Sequence, residues 1–370
     1  MKRVSTVLGL FAGVTAIGAL ALGCGSSETA ASTGTTTLAG PPAKPTTGMA
    51  TATRRVFAIN KLLLGDTDRS GTTSSTAWKK FGYDLDGVAT KTSKLGTCKA
   101  ISDGVVVIDG DNGIDNSFGQ NILTALQKAA SGFSEPSKTV TDTINKGDFT
   151  LILDVLGLDG SGTQTATGVT GQMFVGGSLG MVPKFDGTDN WPVSGGLLVD
   201  AMDPSKGSKV KFPEAYITNG VWVNGGKTDV TLALSIQGVS LNLLIRNAVI
   251  SAKHASASKL TEGTVAGYIS VSEIVDTIGK VAGRLSPEAC PGKSLFLQVK
   301  QIIESNADIR LAGPDATKDC DAISIGLGFE AMEIKPPSVV APVLPPGVDP
   351  CAATGTDAGA APADAAPSNG

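Results

Sequence analysis

The sharpest hydrophobic pattern in the chain is DVTLALSIQGVSLNLLIRNAVI, in which Val230, Leu232, Leu234 and Ile236 fall on every second position. Successive side chains of a strand point to opposite faces, so this spacing predicts a strand with one buried face. Gln237-Gly238 then marks a turn, and Val239, Leu241, Leu243 and Ile245 alternate back. The two runs predict an antiparallel hairpin whose Thr231, Ser235, Ser240, Asn242 and Arg246 face water. Phe149, Leu151, Leu153 and Val155 alternate in the same way, and Ile152 and Leu156 between them predict a strand covered on both faces. Residues 263–270 and 323–329 read as two more strands. Asn224-Gly225 is a hairpin-turn signal, because both central positions of such a turn take positive φ.

Elsewhere the period changes to that of a helix. Ser270 with Glu273 three residues on is a capping box, opening a helix that carries Ile274, Ile278, Val281 and Leu285 on one face. Residues 294–304 place Leu295, Val299, Ile302 and Ile303 together, and Val140 and Ile144 mark a polar, weakly helical stretch. The chain reads as organised around 105–130: a β-branched run, an acidic turn broken by glycine, then a helix over 118–129. That helix buries Phe118, Ile122, Leu126 and Ala129, with Asn116 or Ser117 as its cap. Residues 157–200 are glycine-rich, with short strands at 173–175 and 197–199. The sum is an α+β fold, mostly antiparallel sheet, sandwich-like or barrel-like, with a few packed helices.

Composition sharpens this picture at the ends. The 370 residues are 41% hydrophobic, enough for a substantial core, but only 17% charged, with 47 glycines. Residues 24–53 are Ser, Thr, Ala, Gly and Pro with almost nothing to bury, which predicts a flexible tether; 335–370 read as a Pro/Ala-rich tail. The folded part is therefore expected at 54–334, an acidic and helical portion (54–147) followed by a β-rich portion (148–334). A net charge of −4 without a long basic run excludes a nucleic-acid footprint.

Lys2 and Arg3 precede an apolar run over 4–23, the layout of an export signal. Its end, Leu20-Ala21-Leu22-Gly23-Cys24, resembles the lipobox of bacterial lipoproteins, although Ala21 and Leu22 stand in reverse order. The resemblance implies a signal peptide at 1–23 and a lipidated Cys24 that holds the chain to a bilayer. The rival is an uncleaved membrane anchor, since about 20 apolar residues can span a bilayer. Gly25 after the cysteine resembles Gram-negative sorting to the outer membrane.

With Cys24 set aside, Cys98, Cys290, Cys320 and Cys351 remain, an even number in an oxidising compartment, which suggests two disulfides. Cys290 with Cys320, bracketing one helix, and Cys98 with Cys351 is the expected pairing. Zinc would want C-x2-C spacings, and none occurs.

Candidate chemistry is sparse. Gly176-Gly177-Ser178-Leu179-Gly180 matches the pattern of a hydrolase nucleophile elbow, with the single histidine, His254, downstream. An elbow must open a helix, however, and Met181-Val182-Pro183 continues as turn chemistry; His254, in KHASAS, reads as a solvated turn residue. Gly226-Lys227-Thr228 and Gly292-Lys293-Ser294 lack the first glycine of a phosphate loop. Trp78, Trp191 and Trp222 could stack on a sugar but read more simply as core or turn residues.

The acidic clusters carry more. Asp109, Asp111, Asn112, Asp115 and Asn116 crowd into one turn; Asp84 and Asp86 lie in DLDG, and Asp66 and Asp68 in DTDRSG. The last resembles the start of an EF-hand loop, but its twelfth position is Ala77 where the loop needs a glutamate. Oxygen-rich loops of this kind are candidate calcium ligands, and the same residues also build metal-free Asx-turns. GYDLDG followed by GIDNSFG resembles a pattern of uncharacterised proteobacterial lipoproteins over 81–119, which implies export and no particular activity. The function expected is that of a surface-anchored binding or structural module, calcium-stabilised through Asp66, Asp68, Asp84, Asp86, Asp109, Asp111, Asp115 and Asn116. The rival is a secreted hydrolase of envelope polymer or glycan.

Overall fold

A strand that no alternation announces lies at the centre of the sheet. In β1 (Arg54–Leu63), Val56, Phe57, Ala58 and Ile59 are buried in succession, because layers of side chains cover both faces of the strand. The computed structural model describes residues 37–343 and Cys351, apart from 93–96, 103, 104, 106, 130–133, 237 and 238. The export signal, Cys24 and the Gln237-Gly238 turn lie outside the described residues.

After β1 come α1 (Leu123–Ala129), α2 (Pro136–Lys146), β2 (Thr150–Leu156) and β3 (Thr170–Gly176). Five short strands follow: β4 (Leu198–Asp200), β5 (Asp203–Ser208), β6 (Val210–Phe212), β7 (Tyr216–Thr218) and β8 (Val221–Val223). The long elements are β9 (Thr228–Ile236), β10 (Val239–Ser256), β11 (Lys259–Ser270), α3 (Val271–Leu285), α4 (Ser294–Ser305) and β12 (Ala322–Glu333). The main sheet runs β6-β3-β2-β1-β12-β11-β10-β8-β7, antiparallel throughout, with β9 also on β10. It curls into a half-barrel, so the fold is α+β and β-rich.

One face holds the main core, including Phe57, Leu153, Phe212, Trp222, Ile250, Leu260, Ile325 and Phe329. A second cluster on the other face, Val56, Ala58, Ile152, Phe174, Trp191 and Val193, is closed by the tail, where Val193 bridges Val340. The predicted hairpin forms in register, Leu232 opposite Leu243 and Val230 opposite Ile245. Ser270 accepts from the Glu273 amide and starts α3 as the capping box requires.

Several expectations are corrected. Asn224-Gly225 is not a hairpin turn: Asn224 hydrogen bonds to the backbone of Ile250 and Ala248, and the chain passes from β8 to β9 along the same edge of β10. The hairpin turn is Asn219-Gly220 between β7 and β8, both at positive φ. Residues 105, 107 and 108 form no strand. The described part of the tether, 37–53, lies along the domain: the Tyr216 hydroxyl donates to the Pro42 carbonyl at 2.6 Å, and Met49 bridges Thr167. Small residues that bury little apolar surface are held here through their main chain.

The disulfides are Cys98–Cys320 and Cys290–Cys351, with Cα atoms 5.3 and 5.4 Å apart. The expected pairing fails because closeness in sequence is not closeness in space. The run after α4 returns along the start of β12, and near its end Lys99 donates its amide to the Lys318 carbonyl and accepts from the Cys320 amide. Cys290 instead faces the tail beside Gly283, where a Cβ would stand 2.1 Å from the Cys351 sulfur.

Candidate cation site

The loops between β1 and α1 are laid against β12, and two glycines permit it. A Cβ at Gly326 would meet the Phe81 carbonyl oxygen at 2.0 Å, and one at Gly328 would meet the Phe81 ring. β1 leaves the β12 ladder at Gly328, so the backbone amides beyond it need other partners. Side chains supply them. Asn116 accepts from Gly326 and Gly119 and donates to the carbonyls of Trp78, Phe81 and Gly326. Asp308 accepts from the Ser324 amide at 2.8 Å and from its hydroxyl.

On this platform one carboxylate oxygen each from Asp84, Asp86 and Asp115 lie within 4.8 Å of one another. Ligand oxygens about 2.3 to 2.6 Å from a calcium ion stand no more than roughly 5 Å apart, so the three fit one coordination shell. Asp115 is only 4% exposed and is held by the Leu85 amide at 2.6 Å. Asp84 and Asp86 each accept from a backbone amide of their own turn, Gly87 and Val88, both at 2.9 Å. The tether buttresses the group, since Ala39 bonds to both Asp84 and Asn112.

Burial pushes the Asp115 carboxyl well above its usual range, and Asp86, Asp308 and Asp109 add repulsion. Asp109, which accepts from the Thr90 amide, is raised for the same leading reason, burial, with Asp86 and Asp84 adding repulsion. Burial pushes Asp308 up to about 7 as well. The charges that face Asp115 most closely are thus other carboxylates, an arrangement a divalent cation would relieve.

The remaining predicted ligands lie elsewhere in the fold. Asp66 caps α2 by accepting from the Ser137 amide and hydroxyl. Asp68 closes an Asx-turn on Ser70 and Thr72, which explains the EF-hand likeness of its sequence. Asp111 is exposed in a single 3-10 turn, and Asn116 is spent on backbone groups. Asp308 was not anticipated; its one sequence signal is an acid between two apolar residues next to Asn306, too common a pattern to stand out.

Ser178 and His254 do not form a catalytic pair. Gly176 ends β3 and no helix follows, whereas His254 is buried in β10, edge-on to Phe57, with its amide on the Gly220 carbonyl and its own carbonyl beside Gly162 in the loop that precedes β3. The expectation of a solvated turn histidine is also corrected: both ring nitrogens are buried without a hydrogen-bond partner among the described residues. Among the described residues no helix is long and apolar enough to cross a membrane. No protein-family model, curated protein or solved structure matches this chain significantly.

Proposed function

We propose that this chain is a lipid-anchored protein of the bacterial cell envelope, attached to the outer membrane through Cys24. Its folded domain is a binding or structural module stabilised by calcium at Asp84, Asp86 and Asp115. The observation that carries the cation reading is the approach of three carboxylates, one of them buried, with Asp109 and Asp308 as further negative neighbours. Like charges gathered in a low-dielectric setting repel strongly unless protonated or bridged by a cation. The export reading rests on Lys2, Arg3 and the apolar run before Cys24, and two cysteine pairs at disulfide distance are consistent with an oxidising compartment.

Millimolar calcium is expected to raise the melting temperature of the purified protein, EDTA to reverse the rise, and Asp84→Asn with Asp86→Asn to abolish the response. A ligand bound only by the native state adds about 2.7 kcal/mol at a hundredfold excess over Kd. In a domain of this size that is a shift of roughly 4 °C. Identical melting curves with and without calcium would overturn the cation reading. For the anchor, Cys24→Ser should end labelling by a palmitate analogue, and persistent labelling would refute lipidation at that residue.

A further inference from the structure

The two disulfides differ in setting. Cys98 and Cys320 are 2% and 1% exposed, and the Cys98 sulfur also lies 3.4 Å from the Asp308 carbonyl oxygen. Cys351 is only half-buried, and the chain around its partner Cys290 is exposed at Pro287, Glu288, Pro291 and Gly292. Disulfide exchange requires a thiolate to reach a sulfur, so the more accessible bond is the more labile one.

That bond ends a tail which is otherwise lightly held. Of residues 335–343 only Pro337 is buried, and Val339 and Val343 are exposed. The Lys335 amide donates to the Asp189 carbonyl at 2.9 Å, the Val193 amide to the Val339 carbonyl at 2.9 Å, and the Ala341 amide to the Val193 carbonyl at 2.8 Å. The Ser338 hydroxyl adds a bond to the Asn190 side chain at 3.1 Å. Pro336, Pro337 and Pro342 have no amide to donate.

What the tail covers is apolar. Trp191 and Val193 are fully buried, and Val340 packs on their cluster. Ala341 approaches Gly177 so closely that a Cβ there would stand 2.5 Å from its methyl carbon, and the Gly177 carbonyl accepts from the Trp191 indole at 2.6 Å. While the disulfide is closed, a detached tail stays near its site at an effective concentration of about millimolar and docks again. With the disulfide open that advantage is gone.

We propose that residues 335–343 form a redox-released strap, held over Trp191 by Cys290–Cys351 and freed by a dithiol reductant while Cys98–Cys320 stays closed. One thiolate of the reductant attacks the Cys351 sulfur, and Cys290 leaves as a thiolate that takes up a proton. The second thiol attacks the mixed disulfide, releasing Cys351 and leaving the reductant oxidised, so that two electrons and two protons pass to the cysteine pair. The strap shares no residue with the carboxylate cluster and goes beyond the cation reading.

The test treats the purified full chain with dithiothreitol under native conditions, then alkylates with iodoacetamide for peptide mapping, with hydrogen exchange measured in parallel. Cys290 and Cys351 should be alkylated about tenfold faster than Cys98 and Cys320. In the same preparation exchange at the Val193, Lys335 and Ala341 amides should rise about tenfold, with β10 to β12 unchanged, and reoxidation should restore it. Cys290→Ser with Cys351→Ser should show the fast exchange without reductant; if that variant does not fold, the reduced wild-type chain decides. Three results would each overturn the proposal: Cys98 and Cys320 alkylated as fast as the other pair, Cys290–Cys351 opening only when the sheet unfolds, or unchanged exchange at Val193 once that bond is open.

Discussion

The loops from Gly65 to Ile122 and the sheet from β9 to β12 pack on one another but are held by different forces. The sheet rests on ladder bonds and on apolar side chains buried in rows, such as Ile323, Ile325, Leu327 and Phe329 on β12. Each contributes part of a redundant whole, at roughly 25 cal/mol per Å² of apolar surface. The loops bury fewer large apolar residues, chiefly Trp78, Phe81, Val107, Ile114, Phe118 and Ile122, and are held as well by side chains bonded to backbone: Asn116, Ser117, Asp115, Asp66 and Asp109. A buried polar network has no redundancy, because removing one partner leaves the others desolvated and unpaired. The loops should therefore be the more fragile region per residue altered.

The largest effect is expected where the two regions are joined covalently. Cys98 lies in the loops and Cys320 at the start of β12, 222 residues apart. By chain entropy a loop of that length is worth about 5 kcal/mol, and the 61-residue Cys290–Cys351 loop about 4. Cys98→Ser with Cys320→Ser should lower the denaturation midpoint clearly, and hydrogen exchange should accelerate across 65–122 far more than across 228–333. Equal acceleration in both would mean one cooperative unit and would dissolve the distinction.

The same contrast governs what was legible in the sequence. Alternation disclosed β9 and β10, and β11 ends in a readable cap; β2 and β12 are buried on both faces but were legible because large apolar residues still alternate with smaller or polar ones, as in Ile323, Ile325, Leu327 and Phe329 with Ser324, Gly326 and Gly328 between them. β1 escaped because Val56-Phe57-Ala58-Ile59 is buried on both faces and has no period to read. The acidic residues were visible as a composition, but which of them converge depends on Gly326 and Gly328, more than two hundred residues away, admitting the Phe81 loop. Hence Asp84, Asp86 and Asp115 meet while Asp66, Asp68 and Asp111 do not, although nothing local distinguishes them.

A matched pair of substitutions sharpens the comparison at single residues. Asn116→Ala removes the acceptor for two buried amides and the donor for three carbonyls, so it should cost roughly 2 to 4 kcal/mol. Ile325→Val, at an equally buried position of β12, removes one methyl group and should cost about 0.5 to 1.5 kcal/mol. Urea denaturation measures both. If the isoleucine variant proves the more damaged, the loops are held by packing after all.

The smallest effect separates the regions by the sign of their pH dependence. Where the loops meet the sheet, Asp308, on the run between α4 and β12, has a folded pKa pushed up to about 7 by burial, against about 4 in an unfolded chain. A carboxyl raised in this way favours folding while both states are protonated, below about pH 4. Its contribution is lost as pH climbs towards 7, because the unfolded state ionises first. In the sheet interior burial lowers the pKa of His254, and the neighbouring Arg55 adds to the shift. That group acts oppositely: its contribution is complete above the unfolded value near 6.5 and falls as pH drops below it, since only the unfolded imidazole then takes up a proton readily. The loss at pH 5 can reach no more than about 2 kcal/mol, set by the unfolded pKa. In EDTA, His254→Phe beside Phe57 should flatten the acid side of the stability profile and leave the neutral side alone, and Asp308→Asn should do the reverse. The single histidine makes the first arm clean, because no other imidazole titrates in this chain. An acid limb that persists unchanged in His254→Phe would assign it to the carboxylates and remove the opposition between the two regions.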